Sequence, residues 1–382
     1  MKRLSVLLIT LAITALCLTA EAQIEVTSDS GSAPDFASGV SCGKCHRDIF
    51  EYWKDSLHAH ALDNHIFQAA YMTAIKEVGE EARGICLSCH APAAAVMGDL
   101  KTETAISQEA VTCDFCHRIT NVDIEGGVSS VTLTTGKDKH GPLTPSVTNK
   151  AHSSVQSDLF SDSKLCATCH QWNNAQGVAI FDTYNEWLNG PYAKKGQHCQ
   201  SCHMPLIEGS VVKGKTKLND GMINSHNLSG GHSIVQVASA ATVSITSIER
   251  VTGGIKAVIE IANVGSGHMI PTGIPSRSLL LEVQLVDSRG KVAETTTHEF
   301  KKVIVDENHA VLTRDVDIIL KGAAVSKDNR IPPGGKVEIP VHFAASSREK
   351  YLVKAQLSYR YKPLILMEED IVIEMGSDVA SP

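Results

Sequence analysis

Ten cysteines and five histidines of this chain fall into one repeated pattern, Cys-x-x-Cys-His. The copies are Cys42-Gly43-Lys44-Cys45-His46, Cys86-Leu87-Ser88-Cys89-His90, Cys113-Asp114-Phe115-Cys116-His117, Cys166-Ala167-Thr168-Cys169-His170 and Cys199-Gln200-Ser201-Cys202-His203. Each is a signature for covalent attachment of haem c. The two thiols add across the haem vinyl groups, and the adjacent imidazole becomes the proximal iron ligand. One copy could be an accident. Five copies that use every cysteine of the expected mature chain are not.

The cysteine count is eleven, and the one outside the motifs is Cys17. It lies in an N-terminal stretch with Lys2 and Arg3, an apolar run from Leu4 to Leu18, and the small-x-small ending Ala20-Glu21-Ala22. That order predicts a secretory signal over residues 1–22 and a mature start at Gln23. A lipidation signal at Cys17 is the rival, disfavoured by the bulky Leu16 before it. Export alone would suggest disulfides, and Cys-x-x-Cys pairs also bind zinc. Zinc, however, does not require a histidine directly after the second cysteine, and here it follows all five times.

The elements that must hold these motifs divide the chain in two. All motif cysteines lie before residue 204. Residues 23–37, rich in Ser, Gly and Asp, are expected to be a flexible leader. Residues 38–205 are expected to form a mainly helical or irregular pentahaem domain. One helix is predicted from about Ile49 to Val78, in one piece or two, and another over Asp182 to Leu188. The Gly/Thr/Ser-rich segment 121–150 reads as an irregular excursion, and 206–233 as a connector. From 234 to 376 the pattern changes to short β-rich runs. These are Val243-Ile245, Ala257-Ile261, Leu279-Val286, Val303-Val305, Val337-Val341 and Leu352-Tyr359, with Gly- and Pro-containing turns between them. The fold class expected is therefore α+β with two domains, the second an all-β, Ig-like sandwich. Aromatic residues are only 5% of the chain. Five haems would supply apolar volume that side chains otherwise provide. The net charge of −7, deepened by haem propionates, argues against nucleic acid or an anionic membrane surface as partner. No other stretch is long and apolar enough to span a bilayer.

A haem that only carries electrons has a second axial ligand, whereas a catalytic haem leaves that face open. Beyond the proximal His46, His90, His117, His170 and His203, twelve histidines remain. His58 is a good distal candidate, on a helix close after the first motif; His60 and His65 read as surface or propionate-contacting. His152 is a candidate, with His140 its substitute. In Ser225-His226-Asn227-Leu228-Ser229-Gly230-Gly231-His232 a Gly-rich loop can approach a haem face closely, so His226 and His232 are candidates. His268 lies in a loop between two strands that could hold it against the haem domain. His198 is constrained by the neighbouring Cys199, and His298, His309 and His342 fall in the β region. Met97 and Met204 are weaker candidates, and Met204 cannot reach the iron of His203. Axial-ligand identity tunes haem potential over about 0.8 V, and a His-rich set points to low potential.

The residues Ser41-Cys42-Gly43-Lys44-Cys45-His46 with Ile49-Phe50, Trp53 and Ser56-Leu57-His58-Ala59 carry a resemblance. So do Leu165 to His170, Thr183-Tyr184-Asn185-Glu186-Trp187, Gly190-Pro191-Tyr192, Cys199 to Pro205, and the loop Gly267-His268-Met269-Ile270-Pro271-Thr272-Gly273. Together they resemble the multihaem cytochromes related to the tetrahaem electron acceptor of hydroxylamine oxidoreductase. That superfamily also holds octahaem hydroxylamine oxidoreductases and pentahaem nitrite reductases. The nitrite reductases usually bind their catalytic haem through Cys-x-x-Cys-Lys, whereas all five motifs here end in His.

The expectation is an electron carrier with five covalently bound haem c groups, in the periplasm or at the outer cell surface. Its partners would be a quinol oxidase or periplasmic or outer-membrane cytochromes, as in extracellular electron transfer. Similar proteins stack into filaments, so self-association through the β domain is also expected. The alternatives are a redox enzyme acting on a small nitrogen or sulfur species at one open haem, assisted by His60, His65 or His140, and a β-sandwich binding module served by the haems.

Overall fold

The computed structural model describes residues 24–32, 34–215, 218–361 and 370–382. The expected signal stretch 1–22, with Cys17, lies outside the described residues. No described helix is long and apolar enough to cross a membrane.

The first part is a set of short helices with small sheets between them. The helices are α1 (Gly39–Gly43), α2 (Arg47–Lys54), α3 (His65–Val78), α4 (Glu81–His90), α5 (Pro92–Met97), α6 (Cys113–His117), α7 (Lys164–His170), α8 (Thr183–Leu188), α9 (Pro191–Lys194) and α10 (Cys199–His203). The small strands are β1 (Ile24–Ser28), β2 (Ile119–Glu125), β3 (Val128–Leu133), β4 (Asp138–Gly141), β5 (Val147–Thr148), β6 (Ser153–Gln156), β7 (Trp172–Asn173), β8 (Ala179–Phe181), β9 (Leu206–Glu208) and β10 (Met222–Asn224).

Three expectations are corrected here. Residues 23–37 are not simply a loose leader: β1 pairs in parallel with β3, and Phe36 is buried against Phe115. Segment 121–150 is not merely irregular. Its Val and Ile residues alternate with polar ones, so β2 and β3 form a hairpin about Gly126-Gly127, both at positive φ. The helix expected over 49–78, in one piece or two, is in two, and residues 55–63 turn between α2 and α3. His58 therefore stands in a turn rather than on a helix.

The second part begins with α11 (Ile234–Ala240) and continues through β11 (Ala241–Val251), β12 (Gly254–Asn263), β13 (Arg277–Asp287), β14 (Val292–Phe300), β15 (Lys302–Val305), α12 (Asp315–Lys321), β16 (Ala324–Asp328), β17 (Lys336–Ala344), β18 (Tyr351–Tyr361) and β19 (Ile371–Ala380). One antiparallel sheet runs β11-β12-β17 and another runs β14-β13-β18-β19. Alternate residues of each point inward. Ile255, Ile259 and Ile261 from one sheet share a core with Leu279, Leu281, Val283, Val353 and Leu357 from the other. Every β run read from the sequence lies inside one of these strands. β14 and β16 escaped that reading because they are polar and largely exposed; β19 escaped it although Ile371, Ile373 and Met375 face the core.

The two parts are pressed together in several places. Trp172 and Ile180 of the β7–β8 hairpin join the core of the second part, and Asn174 donates to the Gly322 carbonyl at 2.7 Å. Ala74 of α3 and Ala82 of α4 pack on Val316 of α12, and Glu77 pairs with Arg314. Elsewhere, α8 and α9 carry the loop between β12 and β13. Thr272 donates to Glu186 (2.6 Å) and bonds Thr183 (2.8 Å), and the Tyr192 hydroxyl donates to the Val264 carbonyl (3.2 Å). Arg330 closes this seam. Its guanidinium bonds Glu186 at 2.6 Å, Asp328 at 2.7 Å and the Pro271 carbonyl at 3.2 Å, almost wholly buried.

Candidate haem-binding sites

Four of the five motifs lie on a helical segment, α4, α6, α7 or α10, while the first begins at the end of α1 with Cys42 and finishes in the turn after it. A helical turn puts residues three apart on one face. The two thiols of each copy then point the same way, with the histidine beside the second. Local contacts set these turns. The Thr112 hydroxyl caps α6 by accepting from Asp114 N–H (3.1 Å). Asp114 in turn holds Arg118 at 2.9 Å and Lys139 at 2.6 Å, all inside the molecule. Ser38 caps α1 and donates to Glu109, whose other oxygen accepts from Gly39 N–H at 2.7 Å.

Imidazole orientation is the informative feature. Nδ1 of His46 donates to the Val211 carbonyl (2.6 Å), His90 to Ala61 (2.8 Å) and His117 to His140 (2.6 Å). Nδ1 of His152 donates to Ser153 (3.1 Å), His226 to Asn224 (2.8 Å) and His268 to Met269 (2.9 Å). A carbonyl oxygen can only accept, so each Nδ1 carries the proton and each Nε2 keeps its lone pair. That is the arrangement of a metal-ligating histidine. His198 is the opposite case. Its Nδ1 accepts from Ser163 N–H at 3.1 Å, so its proton sits on Nε2, as expected of a residue that is not a ligand.

Three pairs of rings face each other. His46 and His152 have centroids 6.0 Å apart, His58 and His170 6.4 Å, and His203 and His268 6.4 Å. An imidazole nitrogen bonds a transition metal at about 2.0 Å, so two imidazoles on opposite sides of one iron have centroids roughly 6 Å apart. The spacing leaves room for an iron between the rings of each pair. His226 is the next candidate. Burial pushes its pKa down to about 4, and His117 acts on it through space in the same direction. Burial likewise pushes His58 to about 3 and His170 to about 4, so both are neutral and able to ligate.

His58 thus faces the fourth motif rather than the adjacent first one. His90 rests flat on Phe67, ring centroids 3.7 Å apart, and His117 lies against Phe160 at 5.2 Å. His140 contributes its backbone carbonyl to His117, a role the sequence could not signal. His60 is exposed and bonds Asp63; His65, His309 and His342 are exposed and His298 is half-buried. His232 ends a short 3-10 turn over Gly230–His232, and its side chain lies outside the described residues. Met97 packs among Phe115 and Ile119, and Met204 caps α10.

The attachment cysteines touch across motifs. Cys42 lies against Cys113, Cys89 against Cys169, and Cys166 against Cys199. Cys116 acts on both Cys166 and Cys169. The spatial order is therefore first beside third, third beside fourth, and fourth beside both second and fifth. Among the described residues no three His, Cys, Asp or Glu side chains come together as a metal-holding group. The paired thiols, fixed tautomers and opposed rings fit haem c.

The comparisons agree with this chemistry. A family described as "Cytochrome c554 and c-prime" matches residues 41–118, which hold the first three motifs. No curated protein matches the chain. Among solved structures, the chain is similar to a penta-heme cytochrome c552 from Thermochromatium tepidum. The TM-score is 0.73 at 22% identity, covering 91% of this chain and 99% of that one. A putative beta-galactosidase from Bacteroides fragilis overlaps 37% of this chain and 16% of its own at a TM-score of 0.20 and 12% identity, too little to carry meaning. The family match covers the segment that holds the first three motifs, and the likeness at 22% identity shows a shared fold.

Proposed function

We propose that this chain is a pentahaem c-type cytochrome that carries electrons between redox partners in the periplasm or at the cell surface. The observation that carries the reading is the set of opposed imidazole pairs, His46 with His152, His58 with His170, and His203 with His268, at 6.0 to 6.4 Å. An iron held on both sides by protein has no place for a substrate and exchanges only electrons. We assign His226 to the fourth such pair, opposite His117, and keep His232 as a candidate.

Haem supplies reversible one-electron iron chemistry when bound. The residues here do the rest. The ten motif cysteines tether the groups, and the backbone carbonyls at 211, 61 and 140 fix the proximal imidazoles of His46, His90 and His117. The contacts among cysteines of different motifs keep neighbouring sites adjacent, so that an electron can pass from one to the next. The resemblance to electron acceptors of hydroxylamine oxidoreductase supports the carrier reading. Electron donors and acceptors would be a quinol oxidase or other exported cytochromes, and the β region offers a body on which a partner or a second copy can dock.

A second reading holds where no such pair is seen. Among the described residues neither His90 nor His117 has an imidazole at the spacing of the three pairs, and the candidate His226 is assigned to His117. An iron held there by His90 alone would be open to a small nitrogen or sulfur species.

Electron paramagnetic resonance of the oxidised holoprotein, with and without nitrite or hydroxylamine, tests both. The carrier reading expects low-spin signals that ignore both additions. A high-spin signal that moves with either addition would transfer the assignment to an enzyme.

A further inference from the structure

Arg277 opens β13 and brings its guanidinium to the place where three haem-side segments meet. Its Nη1 donates to the Thr272 carbonyl at 3.3 Å, its Cζ lies 5.4 Å from the centre of the Tyr361 ring, and its charge reaches His170. Two glycines make room for it. A Cβ at Gly273 would stand 2.9 Å from Nη1. One at Gly231 would stand 3.2 Å from Nη1 and 3.3 Å from the Tyr359 hydroxyl. These glycines belong to the two loops that carry His232 and His268, so the guanidinium is gripped where those loops converge.

Among the described residues Arg277 makes no ion pair, and its Nε is buried without an acceptor. The carboxylate nearby is Asp315 of α12. It accepts from the Tyr361 hydroxyl at 2.9 Å and feels Arg277 through space, but does not pair with it. The other titratable groups that feel Arg277 are Tyr359, Tyr361 and His170. Arg277 is half-buried, and arginine cannot shed its proton. The guanidinium fork matches a carboxylate.

We propose that Arg277 anchors a propionate of the haem held by Cys166, Cys169 and His170, with the Tyr359 hydroxyl beside it. This rests on the haem reading above. The two sources of such an anion are the haem's own carboxylate and a free oxyanion, and the position of Arg277 beside His170 favours the first.

The test compares wild-type, Arg277→Gln and Arg277→Lys holoproteins. Haem is first counted per chain; fewer than five in the wild type overturns the pentahaem reading itself. Resonance Raman then follows the propionate bending bands, and spectroelectrochemical titration follows each potential against pH. In Arg277→Gln, one haem's propionate band should move, and the inflection of its potential with pH should rise by about 1–3 units. Arg277→Lys should retain most of the inflection but shift the band in part. The affected haem should be the one that His58→Ala converts to high spin. Unchanged propionate bands in both variants overturn the proposal, even if a potential falls, because Arg277 would then act only as a remote charge. A wild-type band that responds to added phosphate overturns it in favour of a free anion. If Arg277→Gln does not fold, Arg277→Lys alone decides by the same band.

Discussion

A histidine's worth as a ligand here turns on which nitrogen carries its proton. His268 and His198 make the contrast plain. The first donates from Nδ1 to the Met269 carbonyl and the second accepts at Nδ1 from Ser163 N–H. They are close in space to the same fifth motif, yet only His268 carries its proton on Nδ1 and so keeps the Nε2 lone pair. His268→Ala should therefore turn one haem from low to high spin, while His198→Ala should leave every spin state unchanged. Electron paramagnetic resonance of the two oxidised variants checks this, and a spin change in His198→Ala would remove the tautomer rule. The motif histidines were legible in the sequence because the cysteines fix their place. The tautomers of His46, His90 and His117 were not, since the carbonyls that set them come from residues 211, 61 and 140.

At the scale of elements, the decisive contact is α8 against the loop between β12 and β13. Arg330 and Glu186 bridge it with both side chains about 5% exposed. A buried pair of this kind contributes little net stability against apolar replacements, but losing one partner strands the other charge. Arg330→Met should destabilise the protein by about 3–5 kcal/mol, measured by denaturant unfolding. It should also loosen the His268 loop, so that some of the fifth haem becomes high spin before unfolding begins. Full retention of the low-spin signal through partial denaturation would show that the loop is held without Arg330. The loop itself was visible in the sequence as Gly267 to Gly273. Its docking site was not, because Glu186 and Arg330 are separated by most of the β region and neither belongs to a motif.

For the whole molecule, the two parts differ in what fills their interiors. The β region has a continuous core in which Ile255, Ile259, Leu281, Val353 and Leu357 are fully buried. The motif-bearing part has three smaller apolar clusters, around Phe115, Leu87 and Ala74. Haem is expected to supply the remaining apolar volume. A chain with all ten motif cysteines replaced by alanine should keep β-sheet circular dichroism and protease resistance from about 241 onward, while residues 39–205 become cleavable. Equal protection of both parts in that chain would mean that side chains alone build the first domain.

Cofactor chemistry was determined by sequence alone, because Cys-x-x-Cys-His is complete within five residues and needs no distant partner. The β strands were also legible, wherever one face is buried and the apolar alternation is regular. Strands lying on the surface, such as β14 and β16, lack that alternation. The pairing of haem sites was decided only in three dimensions. The first motif lies beside the third, the fourth beside the second and fifth, and His58 reaches the fourth motif although the first is nearest in the chain. Such pairing depends on how turns and short helices pack, and on loops delivered by a separate β region. Local residue spacing carries no record of either.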